Sequence, residues 1–193
     1  MLGKKKDKEL AKKKDTSLST KDETSLTNVN YQRDRLYKKG INLMADEKLE
    51  EAVRNFEMIL RADPNDVEAM LKLGYSRFHL EDHSEAMRVY DKILDIDVTN
   101  PEAWNLKSLV NYEKKNYAKA LDCAEKAIDS DPTYGMAWYN KACYLSMLNQ
   151  VPDSLEALKR SIEIDVKNAR KAVKDKDFVN VRSEEGFKRI IEV

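Results

Sequence analysis

Two histidines and one cysteine are the residues of this sequence whose type and spacing could do chemistry. His79 and His83 stand four residues apart, a spacing that within one helix would turn both imidazoles toward the same metal ion. Cys143 could act as a thiol nucleophile, but no histidine or acidic residue stands at a known catalytic spacing from it. The five glycines are scattered, so the sequence contains no phosphate-binding loop.

The elements that must position these residues follow from a repeat of 34 residues. Aspartate recurs at this interval, and so do small residues and large apolar residues. One period that fixes acidic, small and large positions together indicates stacked structural repeats. The aspartates are Asp63, Asp97, Asp131 and Asp165. The small positions are Gly40, Gly74, Ser108 and Ala142, then Ala52, Ala86, Ala120 and Ser154, and the large ones are Leu36, Met70, Trp104 and Trp138.

Four units follow one another without insertion or deletion, over residues 33–66, 67–100, 101–134 and 135–168. Each unit has the pattern of two helices, joined in the third by the polar turn Lys114-Lys115-Asn116. Asp131-Pro132 ends that unit, because proline disfavours a helical conformation in the residue before it. We expect the small residues where two antiparallel helices approach closely, since packing there offsets the roughly 0.5–1 kcal/mol that a helical glycine costs.

The repeat register argues against a metal site and against catalysis. It places His79 at the end of a first helix and His83 at the start of a second, across the turn at Glu81-Asp82. It places Cys143 at an inward position of a first helix, where a small packed or groove residue is typical. We therefore predict no catalytic residue, no metal, no cofactor and no small-molecule substrate, in a protein that is not an enzyme.

The units resemble the tetratricopeptide repeat over roughly residues 33–168, and the resemblance rests on signature residues in all four. These are Gly40, Leu43, Ala52, Phe56 and Pro64 in the first; Leu73, Gly74, Ala86 and Tyr90 in the second; Trp104, Ser108, Tyr117, Ala120, Ala127 and Pro132 in the third; and Trp138, Ala142, Leu145 and Ser154 in the fourth. The resemblance implies an all-α, right-handed superhelical solenoid of four helix-turn-helix repeats, and a function as a protein–protein interaction adaptor or scaffold. The departures are Val98 and Val166 in place of the closing proline, Ala124 in place of an aromatic residue, and Lys39, Lys107 and Lys141 where leucine is common.

In arrays of this family the first helices line a concave groove, and the groove positions of this sequence are apolar and aromatic. Exposed apolar patches of more than a few hundred Å² usually mark an interaction site. We therefore predict that a peptide or an amphipathic helix of a partner protein binds there. The predicted groove residues are Tyr37, Ile41, Met44, Leu71, Tyr75, Phe78, Asn105, Leu109, Tyr112, Tyr139, Cys143 and Met147.

One known use of the family is not supported by these positions. Arrays that bind the acidic C-terminal tails of heat-shock chaperones resemble one another in a set of lysine, asparagine and arginine residues. Neither of the two corresponding sets in this sequence forms a cationic clamp for a carboxylate, so we predict no binding of such tails. The two sets are Tyr37, Ile41, Lys72, Glu102 and Leu106, and one unit later Leu71, Tyr75, Leu106, Met136 and Asn140.

Two interpretations of the groove remain open. An external protein ligand fills it, or the chain fills it with its own residues. In the second case Leu18, Leu26 and Val29 of the N-terminal segment, or the groove side chains themselves, close the surface. That alternative describes a structural, self-associating homo-oligomeric module.

The segments on either side of the repeats have a different character. Residues 1–30 hold eight lysines against five acidic residues and no aromatic residue, so we expect a disordered basic tail that binds nucleic acid or membrane weakly at most. Residues 169–193 begin a fifth unit and then leave the pattern. There, Phe178, Val181 and Phe187, with a last helix capped by Ser183, predict a C-terminal capping segment.

Composition limits the remaining classes. The net charge is zero, which does not indicate a nucleic-acid partner, and the mean hydropathy of −0.71 suits a surface-rich array. The two cysteines, Cys123 and Cys143, fall on predicted helices of different units, which favours a reducing compartment over a disulfide framework. No apolar run reaches the ~18–20 residues of a membrane helix, and no apolar stretch follows the first lysines as in a secretory signal. We expect a cytoplasmic protein.

Overall fold

The computed structural model describes residues 30–192, and all regular structure in that range is helical. The all-α class predicted from the repeat is therefore confirmed. The predicted basic tail lies outside the described residues, except for residue 30, which is helical. The helices are α1 (residues 30–45), α2 (Leu49–Ala62), α3 (Val67–His79), α4 (His83–Ile96), α5 (Pro101–Glu113), α6 (Tyr117–Ser130), α7 (Gly135–Met147), α8 (Val151–Ile164), α9 (Lys167–Lys174) and α10 (Glu185–Ile191), with a 3₁₀ helix at Lys176–Phe178.

The chain divides into two compact units, Met1–Pro64 and Asn65–Val193. The first unit contains α1 and α2, and the second contains α3 to α10. Within the second unit, consecutive helices pack as the pairs α3–α4, α5–α6 and α7–α8, which are the pairs that the 34-residue period predicts. The first helices α3, α5 and α7 also contact one another in that order.

Glycine stands where a facing aromatic ring leaves no room for a side chain. In the first unit, a Cβ atom on Gly40 would lie 2.6 Å from Cζ of Phe56. In the second unit, a Cβ atom on Gly74 would overlap the ring of Tyr90. Because protein interiors are close-packed, neither glycine can gain a methyl group unless the ring moves.

The third and fourth repeats hold other pairs at the equivalent positions, namely Ser108 with Ala124 and Ala142 with Leu158. Where Ala124 replaces the aromatic residue, Tyr144 of α7 supplies a ring, and its hydroxyl lies 3.0 Å from Oγ of Ser108. All five side chains are buried. The loss of one aromatic residue is therefore matched by a tyrosine from the next helix pair.

The turns between paired helices each contain a residue in the left-handed region, at φ between 57° and 61°. In the third repeat the amide of Lys115 donates to the carbonyl of Tyr112 at 2.7 Å, and the amide of Asn116 donates to the carbonyl of Asn111 at 2.9 Å. These two bonds form a Schellman motif, which normally has glycine at the left-handed position. The left-handed residues are Glu47, Glu81, Lys115 and Asn149.

The repeated aspartates end the units through their side chains. Oδ1 of Asp97 accepts from the amide of Thr99 at 3.0 Å and from its hydroxyl at 2.7 Å. Asp131 accepts the same two bonds from Thr133, at 2.8 and 2.7 Å, and these bonds hold the pKa of Asp131 below its ordinary value. Because the aspartate itself fixes the turn, Val98 can replace the closing proline.

Residues 167–191 pack against α7 and α8 at the C-terminal end of the second unit. Phe178, Val181 and Phe187 are buried there, with 5.9 Å between the ring centroids of Phe178 and Phe187. The predicted helix cap at Ser183 is wrong, because α10 begins at Glu185 and its N-cap residue is Glu184. Ser183 instead lies in a turn closed by a 3.0 Å bond from the amide of Glu184 to the carbonyl of Val181.

Candidate partner-binding surface

The predicted groove residues of the second unit come from α3, α5 and α7, and we call them the first-helix face. Polar contacts link the three helices: Lys72 pairs with Glu102 at 3.3 Å, and Nδ2 of Asn140 donates to Oδ1 of Asn105 at 2.9 Å. These contacts hold α3, α5 and α7 side by side, so that the three helices contribute side chains to one face. It consists of Leu71, Tyr75, Phe78, Asn105, Leu109, Tyr112, Tyr139, Cys143 and Met147.

The accessible part of the first-helix face is aromatic. Tyr75 is 38% exposed, and its ring lies 4.3 Å from that of His79, centroid to centroid. Phe78 is half-buried and contacts the rings of His79 and His83, at 5.3 and 5.5 Å. Leu109 of α5 is also half-buried. These side chains offer a partner apolar area, and the tyrosine adds a hydroxyl group that can hydrogen-bond.

Four of the predicted groove residues are buried and are not available to a partner. Leu71 is buried in the core, and Asn105 is buried with its side chain bonded to Asn140. Tyr139 and Cys143 are only 2% and 4% exposed. The surface that a partner can reach is thus smaller than the sequence pattern suggests.

Residues 175–178 cover the α7 end of the first-helix face. The hydroxyl of Tyr139 donates to Oδ2 of Asp175 at 2.7 Å, and the hydroxyl of Tyr112 donates to Oδ1 of Asp177 at 2.6 Å. The ring of Phe178 meets that of Tyr139 edge-on, at 5.7 Å between centroids. The chain therefore fills this end of the face with its own C-terminal segment. The residues considered for such a role in the sequence, Leu18, Leu26 and Val29, lie outside the described residues.

Burial sets the protonation states in this contact. It raises the pKa of both Tyr112 and Tyr139 above the ordinary value, and the bonded carboxylates raise it further, so both phenols stay protonated and donate. Burial also raises the pKa of Asp177. It raises the pKa of the Cys143 thiol well above its usual range, which makes this cysteine a poor nucleophile at neutral pH.

Two groups of residues have ligand types that suit a metal ion. His79 ends α3 and His83 begins α4, as the repeat predicts, and their rings pack against Phe78. Sγ of Cys143 and carboxylate oxygens of Asp175 and Asp177 all lie within 4.8 Å of one another. Both carboxylates already accept a tyrosine hydroxyl, so the cluster is accounted for as the anchor of the C-terminal segment.

A cavity of about 540 Å³ opens beside the anchored segment. Tyr112 and Met147 of the first-helix face line it, together with Tyr117 and with residues of the C-terminal segment such as Val179 and Asn180. Tyr112 and Met147, the remaining predicted residues on this part of the face, thus border a recess between the repeats and the C-terminal segment.

The first unit carries the other predicted groove residues, Tyr37, Ile41 and Met44, and all three are half-buried. The ring of Tyr37 meets that of Phe56 edge-on, at 5.9 Å between centroids. The guanidinium of Arg33 lies 4.8 Å from the centroid of the Tyr37 ring. Tyr37 thus has ring and cation contacts within its own helix pair.

Asp175 and Asp177 are the functional residues that the sequence pattern missed. The segment that follows the repeats was recognised as a cap, but nothing in its spacing indicated that its acidic residues reach tyrosines 36 and 65 positions earlier. An available signal is the sequence Asp175-Lys176-Asp177-Phe178, in which two acidic residues at alternate positions precede an aromatic residue.

Family models identify the repeat. Three models described as tetratricopeptide repeat match residues 43–110, 101–134 and 123–156. This chain belongs to the tetratricopeptide repeat family. Proteins of this family generally bind protein partners and are typically non-catalytic adaptors, and membership supports a general role as a protein-interaction scaffold.

Solved structures share the fold at low sequence identity. MamA, residues 41 to the end, from Desulfovibrio magneticus RS-1 is 21% identical over 83% of this chain and 94% of that one, with a TM-score of 0.64. A thermophilic tetratricopeptide repeat protein from Thermus thermophilus is 15% identical over 82% and 86%, with a TM-score of 0.68. Pseudomonas aeruginosa pilF is 19% identical over 84% and 78%, with a TM-score of 0.69.

At these low sequence identities, the similarity to the solved structures establishes the fold alone.

No curated protein matches the sequence. Within residues 30–192, none of the helices is both long and apolar enough to cross a lipid bilayer.

Proposed function

We propose that this protein is a non-catalytic interaction module that binds an apolar segment of a protein partner on the accessible part of the first-helix face. The observation that carries the proposal is the exposure of Tyr75, which is 38% exposed, while Phe78 of the same helix and Leu109 of α5 are half-buried. Large aromatic side chains that remain accessible next to other apolar groups are typical anchors of protein interfaces. A peptide or an amphipathic helix is the kind of ligand that such a face accommodates.

The covered end of the same face supports this mode of binding. There, a four-residue segment is held by an aromatic ring in contact with Tyr139 and by two tyrosine hydroxyls that donate to carboxylates. An external segment would use the same kinds of contact on Tyr75 and Phe78. Residues 175–178 thus make, within the chain, the kinds of contact that we expect of a partner segment.

Site-specific cross-linking tests the proposal. A photoreactive benzoylphenylalanine is placed at position 75 in place of Tyr75, and at the exposed position of Ala118 on α6 as a control. We expect position 75 to yield a covalent adduct with a distinct protein and position 118 to yield none. Equal adducts at both positions would contradict the assignment of the face.

A matched pair of variants measures affinity for the captured partner. Tyr75→Glu with Leu109→Glu should weaken binding at least tenfold, because each change places a charge where apolar area is buried. Ala118→Glu adds the same kind of charge in the first turn of α6 and should leave binding unchanged. Tyr112 is left intact, since its hydroxyl holds Asp177.

A second candidate function is a self-associating structural module whose face is filled by its own chain. The seating of residues 175–178 on Tyr112 and Tyr139 is the observation that favours it. In this case the cross-linker at position 75 would capture only a second copy of the chain. Light scattering would then give a mass that rises with concentration.

A further inference from the structure

A cluster of cations lies on the short helix α9 and on Lys176, two residues after its end. Five lysine and arginine side chains in ten residues are exposed, and none of them forms an ion pair with a described residue. Glu163 and Glu185, the nearest paired acidic residues in sequence, bind Arg160 and Lys188 instead. The five cations are Lys167, Arg170, Lys171, Lys174 and Lys176.

Helix stability does not account for all of this charge. Lys171 and Lys174 lie in the last turn of α9, where a positive charge interacts favourably with the helix dipole, and Nζ of Lys171 also lies 3.8 Å from the centroid of the Tyr139 ring. Lys167 is the first residue of the helix and Arg170 completes its first turn, which contains no acidic residue. Cations at that end are unfavourable for the helix. Helix stability thus does not explain these two cations, and a negatively charged ligand or partner would offset their cost.

An apolar depression lies beside these two cations. Its volume is about 260 Å³, and its apolar walls are Val166, Ala169, Val173 and Ile191. Lys167 and Arg170 complete its lining. Val166 and Val173 are 56% and 43% exposed, so both side chains are accessible at the depression. The depression is smaller than a drug-sized pocket, for which about 300 Å³ is the lower limit, and it suits a single aliphatic side chain.

We propose that α9 and Ile191 form a second partner-binding surface, which takes an acidic protein segment that carries one aliphatic side chain. The aliphatic side chain fills the depression, and flanking carboxylates pair with Lys167 and Arg170. This surface shares no residue with the first-helix face, so it stands or falls independently of the function proposed above. A partner that reached both surfaces would gain affinity from their linkage.

The observations favour protein over membrane or nucleic acid. The apolar residues line a recess, whereas a lipid surface is entered by protruding side chains, and α9 has only eight residues. No aromatic side chain lines the depression, so it offers no platform for stacking bases. Aliphatic walls with cations at the rim match a short acidic sequence around leucine, isoleucine or valine.

Nuclear magnetic resonance of the full chain tests the proposal with a defined probe. The ¹⁵N-labelled protein is titrated with the peptide acetyl-Asp-Glu-Leu-Asp-Glu-amide. We expect saturable shifts at the amides of Val166, Lys167, Arg170, Val173 and Ile191. The same peptide with alanine for leucine should bind about tenfold or more weakly, because it leaves the depression empty. An amidated Asn-Gln-Leu-Asn-Gln analogue should lose the part of the affinity that added salt screens.

Charge-reversal variants locate the binding site. Lys167→Glu with Arg170→Glu should abolish the shifts, whereas Lys92→Glu with Lys119→Glu, on exposed positions of α4 and α6, should leave them unchanged. Circular dichroism checks that both variants keep their helices. Absence of saturable shifts in the parent protein, or shifts that survive the first pair of changes, would overturn the proposal.

Two further experiments test the other possible occupants of this surface. If phosphatidylserine vesicles or a DNA duplex perturb the same amides while the acidic peptide does not, the surface serves a membrane or a nucleic acid and the proposal is wrong. If light scattering shows self-association that Lys167→Glu with Arg170→Glu removes, a second copy occupies the surface and a separate partner is excluded.

Discussion

Trp104 and Trp138 make the same hydrogen bond in successive repeats. Nε1 of Trp104 donates to the carbonyl of Val98 at 2.8 Å, and Nε1 of Trp138 donates to the carbonyl of Pro132 at 3.0 Å, in each case six residues earlier. Both rings are half-buried. The two indoles thus tie the start of a first helix to the end of the preceding unit, and they do so whether or not that end contains proline.

Two of the three lysines that replace leucine lie beside these rings. Nζ of Lys107 lies 5.2 Å from the centroid of the Trp104 ring, and Nζ of Lys141 lies 5.6 Å from that of Trp138. Each ammonium also pairs with an acidic residue of the preceding second helix, Lys107 with Asp91 and Lys141 with Glu125. The stem of the lysine covers apolar area while its charge is paired, which is how a cation can occupy an apolar position.

Single-tryptophan variants should therefore report matching environments. Trp104→Phe and Trp138→Phe each leave one of the two tryptophans of the chain as the fluorophore. We expect nearly equal emission maxima, because both indoles are half-buried and donate to a backbone carbonyl. Each variant should lose roughly 1 kcal/mol of unfolding free energy with the hydrogen bond. Emission maxima that differ widely between the two variants would show that the repeat positions are not equivalent.

The helix pairs could be predicted from sequence because repeat position determines environment. Trp104 and Trp138 make the same hydrogen bond, and Gly40 and Gly74 each face an aromatic ring, so one period predicts which side each residue faces. The cover over Tyr139 could not be predicted in this way. It comes from Asp175 and Phe178 in a segment that occurs once, and no periodicity constrains contacts between residues so far apart in sequence.

Gly74 should tolerate no side chain while Tyr90 faces it. Gly74→Ala would normally gain about 0.5–1 kcal/mol of helix propensity, but the added methyl group overlaps the Tyr90 ring. We expect a net loss of about 1–3 kcal/mol, as for other overpacked cores, measured by urea unfolding. Gly186→Ala is the control, because only the terminal methyl of Leu155 lies near its added Cβ, at 2.9 Å, and a flexible side chain can move.

A double variant isolates the clash. Gly74→Ala with Tyr90→Leu reproduces the pair that this chain already uses at equivalent positions, Ala142 with Leu158. The double variant should lose less stability than the sum of the single changes, with a coupling of about 0.5–3 kcal/mol. Additive losses would mean that the ring of Tyr90 is not what excludes a side chain at position 74.

Replacing Lys115 with glycine should stabilise the protein, although a substitution by glycine usually destabilises a folded protein. Its φ of 57° places it in the left-handed region, which costs a residue with a Cβ about 1 kcal/mol or more. Lys115→Gly should therefore raise the unfolding free energy by about 0.5–1 kcal/mol. The neighbouring Lys114 has φ −78° and ψ 5°, so Lys114→Gly only adds freedom to the unfolded chain and should lower stability. If both changes lowered stability equally, the left-handed turn would not be the cause.

Asp177 should make the C-terminal contact more stable in mild acid than at neutral pH. Burial raises the pKa of this carboxyl above that of the unfolded chain, so the folded protein binds a proton more tightly there. At pH values between the unfolded and the folded pKa of Asp177, the folded state binds more protons than the unfolded state. The contribution of Asp177 to stability therefore falls as the pH rises through that range.

Asp177→Asn is neutral at every pH and keeps an oxygen that can accept from the Tyr112 hydroxyl. Unfolding free energies of parent and variant should therefore converge near about pH 4, and Asp177→Asn should be the more stable of the two near about pH 7. A parent protein that gains stability relative to Asp177→Asn as pH rises would show that Tyr112 and its neighbours favour the carboxylate more than burial disfavours it.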